Sequence, residues 1–511
     1  MTKKQIKSIV LLMLVLLLTL SSIAYATATK DARVYHMHTD DYRDADYFKS
    51  LLDDKDYTIN TYYGSACYPS MFDECDRTVK YWSAHGNKYG KMWGYRTLDN
   101  ALTAINIYGT SSDWETSTVT RSDWDGDLEF VFIAACFQLD SNIRYKYARG
   151  MLGTNRVRVI SGYHDLAPGP SCDWRVIKKF EEFADASNSV KYSWLQANEY
   201  WYSRGYSGAK NYCILTHSGN VQYSRMPGFG GLQYPRPGTG TASILRFSHV
   251  NQGGTPQPLF KSKNSSIEDN AGLILNCETK IPETIPNYAL IAKKANISIN
   301  EKSDIYKTMT SVKAESNEGL YTMHELGDKP IGFRKEKAIE LTRNWVNEVY
   351  TKKGKLFTSN IEEVNPLVVA EVNLDGNTEE EKEETFAYSV RFSNMHDGIK
   401  IRDNFYLALV DAEGIASSML RWNNFSKSKF KQTVEPLSYN KAITILSKSI
   451  VENPNYAMRN PNDNITINNS EIVFSNEITK NGKYHPTWQF DMADGTTILI
   501  DCFDSTVLSI K

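Results

Sequence analysis

Apolar positions along the chain change their period twice, and each regime predicts a different kind of element. The first is an unbroken run, "SIVLLMLVLLLTL", after the basic stretch "MTKKQIK" and before "SSIAYA", where Ala24 and Ala26 stand in A-x-A spacing. Basic, apolar and small residues in that order predict a cleaved export signal over residues 1–26. The apolar core is short for a spanning helix, so a secreted chain with no membrane contact after cleavage is expected. From Asp31 to about residue 235, short apolar runs alternate with stretches of helical period. "RVYHMH", "VKYWSAH", "LEFVFIAAC", "RVRVISGY" and "NYCILTHSG" read as strands. "ADYFKSLLDD", "TLDNALTAINIYG", "SNIRYKYARGML", "DWRVIKKFEEFADA" and "SVKYSWLQANEYWYSRG" read as helices. This alternation over residues 27–235 predicts an α/β domain, a mainly parallel sheet flanked by helices. Functional sites in such sheets form beyond the carboxyl ends of the strands.

The pattern then changes again. "YPRPGTGTASILRFSHVNQGGTPQPLF", Tyr234 to Phe260, is rich in Pro, Gly, Ser and Thr and predicts a linker or extension over 236–270. Beyond it the chain repeats itself. "KEKAIELTRNWV" (Lys335 to Val346) matches "YNKAITILSKSI" (Tyr439 to Ile450), "YSVRFSNMHDGIKI" matches "PTWQFDMADGTTIL", and "FYLALVDAEGIASS" matches "ILIDCFDSTVLSI". Each copy within 331–511 predicts a helix, a long loop and strands joined at a D-G turn, Asp397-Gly398 and Asp494-Gly495. Residues 271–330 read as a degenerate third copy of this α+β unit.

Composition adds three constraints. A length of 511 residues implies several domains, and 41% hydrophobic with 12% aromatic residues suffices for real cores. A formal net charge of −2 gives no global attraction to nucleic acid, so no nucleic-acid partner is expected. The acidic run "EEEKEE", Glu379 to Glu384, reads as a solvated loop. Seven cysteines in an exported chain leave at least one thiol over. Cys67 and Cys75 flank a short polar loop and are the expected bridge, with Cys136 the candidate free thiol.

Two of the strands end alike. "YWSAHG" delivers His85 and Gly86, and "FVFIAAC" delivers Cys136, roughly fifty residues later with one helix between. Neighbouring parallel strands would bring both side chains to one edge, where an imidazole can activate a thiol as nucleophile. The N–H groups of Gly86 and of Cys136 itself are the expected donors to the oxyanion formed on attack at an amide.

A hydrophobic strand ending in His-Gly, followed by one ending in Ala-Cys, resembles the caspase–gingipain–legumain class of cysteine peptidases. The resemblance implies a caspase-like fold with His85 as base or acid and Cys136 as nucleophile. It departs from caspases at Ala134, where they carry Gln, and no caspase substrate-binding residues are found, so cleavage after Asp is not implied. The wider region, including "VISGYHDLAPGP" and "SVKYSWLQAN", is similar to uncharacterised exported proteins with the same pair. The helix-hairpin units resemble PepSY-like modules, which implies binding or inhibition: intramolecular regulation by the C-terminal half, relieved by truncation near Phe260. The expected activity is that of an exported cysteine peptidase, or a related amide hydrolase or transpeptidase, acting on a peptide or protein substrate.

Other residues support rival readings. His164 follows "RVRVISGY" on the same expected edge and is a candidate pocket residue. His36 and His38 share one strand face as H-x-H, the starting point for a metal-dependent hydrolase, but no second clustered ligand set completes a zinc site. Asp123, Asp125, Asp127 and Glu129 in "SDWDGDLE" have calcium-like spacing without the full loop pattern, and a solvated turn is expected there. No cofactor is required by the thiol chemistry. A non-catalytic extracellular binding protein on the same scaffold is the main alternative.

Overall fold

The computed structural model describes residues 29–510 apart from 38–42, 68–70, 72–75, 87–90, 94–103, 107–126, 155, 170–171, 231–240, 248–259, 265–272, 276–277, 283, 296, 301–309, 315–317, 353–360, 375–382, 431–434, 453–464, 480–481 and 493–495. The export signal, His38, Cys75, Asp123 and Asp125 lie outside the described residues. Among those described, no helix is long and apolar enough to cross a membrane.

Five parallel strands form the first sheet: β1 (Asp31–His36), β2 (Thr58–Tyr63), β3 (Val79–Ser83), β4 (Phe130–Ala134) and β5 (Val159–Tyr163). Their order is β2-β1-β3-β4-β5. Two antiparallel strands, β6 (Tyr212–His217) and β7 (Thr241–Phe247), extend it beyond β5. Strand alternation sends successive side chains to opposite faces, and both faces are buried. Phe130 and Phe132 of β4 face α1 (Arg43–Asp53), while Val131 and Ile133 face α2 (Arg144–Met151). The Phe132 ring also meets Phe180 of α3 (Asp173–Asp185) and Trp194 of α4 (Val190–Ser203). The result is a mixed α/β architecture with a central, mostly parallel sheet covered by helices.

Two local readings of the sequence change. Thr58–Tyr63 is a strand that the pattern did not announce, because β2 pairs with β1 alone among the described residues and leaves its polar alternate positions half-exposed. Of the expected helix at "TLDNALTAINIYG" only Ala104–Asn106 lies among the described residues, and those three form a strand. It pairs antiparallel with Lys91–Trp93, which pairs in turn with His85–Gly86.

The C-terminal half contains the repeated unit twice. The first has α5 (Lys335–Val349) and a meander of β9 (Ile361–Asn373), β10 (Glu384–His396), β11 (Ile399–Asp411) and β12 (Gly414–Arg421), with β8 (Glu318–Thr322) paired to β12. The second has α6 (Tyr439–Glu452) and the meander β13 (Ile465–Ser475), β14 (His485–Met492), β15 (Thr497–Asp501) and β16 (Val507–Ile510). At the β10–β11 turn Asp397 and Gly398 take φ values of 50° and 77°, the left-handed pair that tight hairpins require. The matching Asp494-Gly495 lies outside the described residues.

The segment expected to link the halves joins them into one sheet. Its strand β7 pairs with β6 on one side and with β9 on the other. The meander carries the sheet over α4, whose burial on nearly every side follows. Polar groups buried with α4 find their partners in the first unit: Gln196 Nε2 donates to Ser417 Oγ at 2.6 Å and Ser389 Oγ to Glu199 at 2.8 Å.

Candidate active site

Strands β3 and β4 are direct neighbours with Ser83 opposite Ala134. The ladder continues one step further, Ala84 N–H donating to the Ala134 carbonyl at 3.3 Å. His85 and Cys136 therefore leave the sheet side by side at its carboxyl edge. Gly86 shows why the strand ends in His-Gly: a Cβ there would lie 2.1 Å from the Cys136 carbonyl oxygen. Only glycine permits that approach.

The Cys136 segment is held by groups on three sides. Gln138 Nε2 donates to the Cys136 carbonyl at 3.2 Å, and the buried Gln138 amide is itself fixed by Tyr147 Oη at 3.1 Å from α2. Phe137 N–H donates to the Asp165 carbonyl at 2.8 Å and Leu139 N–H to the Tyr163 carbonyl at 2.9 Å, tying the turn to the end of β5. On the third side the backbone N–H of Ala167 donates to Cys136 Sγ at 3.3 Å. A hydrogen bond to sulfur favours its anionic form, the form that attacks carbonyl carbon. Phe137 has φ +60°, a left-handed conformation that costs a bulky side chain on the order of 1 kcal/mol. Strain of this kind persists only where the surroundings fix it, here just after the candidate nucleophile.

Exposure separates Cys136 from the other thiols. The described cysteines are all unbridged; Cys67, Cys172, Cys213 and Cys502 are buried, while Cys136 is partly open. Burial pushes the Cys67 thiol up to about 12 and those of Cys172 and Cys502 well above the ordinary thiol range. Such groups stay protonated and inert. The expected bridge at Cys67 is not formed: its thiol turns inward, toward the carbonyls of Tyr62 at 3.4 Å and His36 at 3.7 Å.

The remaining candidates take other positions. His85 is exposed at the edge, on the short antiparallel ladder with Trp93. His164 begins the segment that reaches Ala167, with its backbone N–H on the Asn211 carbonyl at 2.9 Å, but it is buried behind the edge. His36 lies two strands from Cys136, its Nε2 3.3 Å from Asp44. Burial alone would raise the Asp44 carboxyl, yet the hydrogen bond and charge of His36, with hydrogen bonds from Ser83 and Tyr81, hold it below the usual range. No group of three His, Cys, Asp or Glu positioned to hold a metal occurs among the described residues. Of the calcium-like acids, Asp127 pairs with Arg156 at 3.4 Å and Glu129 with Arg158 at 2.8 Å.

No protein-family model matches the chain, and no curated protein matches it. The assignment of chemistry consequently rests on the edge itself. The sequence named His85, Gly86 and Cys136, whose strand ends the structure places next to each other. It missed Gln138, Asp165 and Ala167, of which only Gln138, an amide between Phe137 and Leu139, left a local signal.

Proposed function

We propose that the protein is an exported cysteine hydrolase of peptide amides, a peptidase on a caspase-like scaffold, with Cys136 as nucleophile and His85 as general base and acid. The observation that supports this most is the shared register of β3 and β4, which sets the His-Gly and Ala-Cys ends together with Gly86 against the Cys136 carbonyl. In this reading the Cys136 sulfur loses its proton to His85 and attacks the amide carbonyl carbon. The oxyanion is stabilised by the N–H groups of Gly86 and Cys136. The intermediate collapses as the C–N bond breaks and the His85 imidazolium protonates the departing amine. Water, deprotonated by His85, then hydrolyses the thioester and releases the acid. An amine in place of that water would make the same intermediate a transpeptidase. The two C-terminal units are the PepSY-like part of this reading.

The test is intact-mass analysis of full-length protein treated with a peptide-based thiol-directed probe, with and without reducing agent. One adduct is expected, absent from Cys136→Ala. Turnover in His85→Ala should fall by about 10² to 10⁴-fold. Reduced protein that takes no probe at Cys136 leaves the non-catalytic binding protein in its place.

A further inference from the structure

A second cleft, of about 240 Å³, lies between the first turns of α3, the last turn of α4 and the end of β12. None of its lining residues comes from the segments around Cys136. Its chemistry is one-sided: Arg175, Lys178, Lys179, Arg204 and Arg421 face it, against a single carboxylate, Glu182. Glu182 pairs with Lys179 at 2.5 Å, and the buried Asp403 behind the cleft pairs with Arg204 and with Arg421 at 2.9 Å. With Asp173 in the first turn of α3 counted as well, five cations stand against three acids. The first turn of α3 also contributes the positive end of a helix dipole.

Aromatic rings hold the cations in place. Arg175 lies 4.7 Å over the Trp174 ring and 5.4 Å over Trp201, and Arg204 lies 4.5 Å over Trp201 as well. Lys179 sits 4.2 Å over Tyr200. A guanidinium held over a ring keeps the planar fork that receives carboxylate or phosphate oxygens; Arg204 already directs its own fork to Asp403 at 2.8 Å and to Tyr200 Oη at 3.3 Å. Trp174 adds a buried Nε1–H with no acceptor among the described residues. Nearly every polar group of the cleft is therefore a donor, and its complement is an anionic acceptor.

We infer that this cleft docks the carboxylates of an acidic peptide segment, at a place separate from the scissile bond. A peptide is favoured over a free ion by position. Ala167, whose N–H meets the Cys136 sulfur, stands a few residues before Asp173, the first residue of α3, so the helix that lines the cleft begins close along the chain to the candidate active site. The inference deepens the peptide-hydrolase reading: that the docked segment belongs to a substrate rests on that reading, while the binding itself does not.

The test separates the two. Full-length Cys136→Ala, which cannot turn over, is titrated with a short Glu-rich peptide, with its Gln counterpart and with inorganic phosphate, following tryptophan fluorescence from Trp174 and Trp201. Saturable binding of the Glu peptide is expected, weakened at least tenfold by Gln in place of Glu and by the variant Arg175→Gln/Lys178→Gln. The exposed single substitution Lys178→Gln, which leaves the packing untouched, should weaken it about threefold and reduce its salt dependence. No saturable Glu-peptide binding, equal binding of both peptides, an unchanged affinity in the variants, or binding of phosphate alone would each overturn the proposal. Wild-type protein that takes no probe at Cys136, with peptide binding intact, would instead count against the hydrolase reading only.

Discussion

The two helix-meander units of the C-terminal half share an element order but not a role. The second builds its core mainly from its own elements, Ile443, Leu446 and Ile450 of α6 meeting Trp488, Phe490 and Ile500 of its meander, with Ile399 and Ile401 of β11 joining from the first unit. The first has its α5 on one face of the meander, with Ala338, Trp345 and Val349 against Val390, Tyr406 and Ala408. Its other face is given to the N-terminal half. Leu367, Phe386, Phe405, Leu407 and Met419 belong to the same cluster as Trp194 and Phe132. One copy of the repeat has thus become part of the core beneath the candidate active site. A sheet with two apolar faces cannot stand as an appended module, and neither can the helix it covers.

Removing the units one at a time is the strongest way to break this comparison. A chain ending at Phe260 loses the meander over α4, and the apolar surface uncovered is worth on the order of 15 kcal/mol. That meets or exceeds the whole stability of a typical domain. Expression should give insoluble or unfolded protein without probe labelling, as read by circular dichroism and gel filtration. The activation expected of a detachable inhibitory half would not appear. A chain ending at Phe430 keeps the first unit, and should stay folded and label at Cys136 with a lower Tm. Soluble, active protein from the Phe260 truncation would refute the distinction between the two units.

What the sequence disclosed follows from the range of each interaction. Helix and strand periods are local, so α1, α3, α4, β3 and β4 were legible, and the internal match of Lys335–Val346 with Tyr439–Ile450 was visible as text. The His-Gly and Ala-Cys ends were legible because parallel pairing carries equal offsets past Ser83 and Ala134 to one edge. The supports of Cys136 were not: Ala167 reaches it across 31 positions through a backbone N–H, which has no side-chain signature. The double burial of α4 was hidden for a related reason. "SVKYSWLQANEYWYS" carries Lys191, Gln196, Asn198 and Glu199 on a helix whose polar partners, such as Ser389 and Ser417, come about two hundred residues later. Without those partners in view, the sequence announced the helix and not its burial.

Arg402 sharpens the comparison at the point where three parts meet. It sits on β11, almost wholly buried, and spends its fork on all of them. Nε donates to Glu477 at 2.8 Å and Nη1 to Gln489 at 2.8 Å, both in the second unit, while Nη2 donates to the Gly205 carbonyl at 3.1 Å just after α4. Arg402→Ala leaves Glu477 without its cation and should cost about 3 kcal/mol, read by urea unfolding. Arg402→Lys should recover only part, since an ammonium cannot make the three divergent bonds of a guanidinium. The Phe430 truncation already lacks two of the three partners, so the same substitution there should cost less. An equal cost in both backgrounds would mean that Arg402 does not couple the units.

The smallest effect concerns the seam between α4 and the first unit. Glu199 is fully buried and accepts from Tyr212 Oη at 2.9 Å and from Ser389 Oγ at 2.8 Å. Burial pushes its carboxyl up to about 7, against the opposing pull of those two hydrogen bonds. The folded chain therefore keeps the proton between pH 4.5 and about 7 while the unfolded chain releases it, so stability falls as pH rises through that window, by about 3 kcal/mol in all. His217 has the opposite slope: burial lowers it to about 4, and stability falls as pH drops from 6.5 toward that value. The two partly cancel in wild type between pH 4.5 and 6.5. Glu199→Gln removes only the first. Its Tm relative to wild type should rise from pH 5 to a plateau above about 7, with the His217 slope then visible alone in acid. The Ser389 hydroxyl, which can rotate to accept, accommodates the new amide. A Tm difference that stays flat across this range would show that the seam holds Glu199 ionised, and that the first unit contributes a charge-stabilising contact to α4 rather than a dry one.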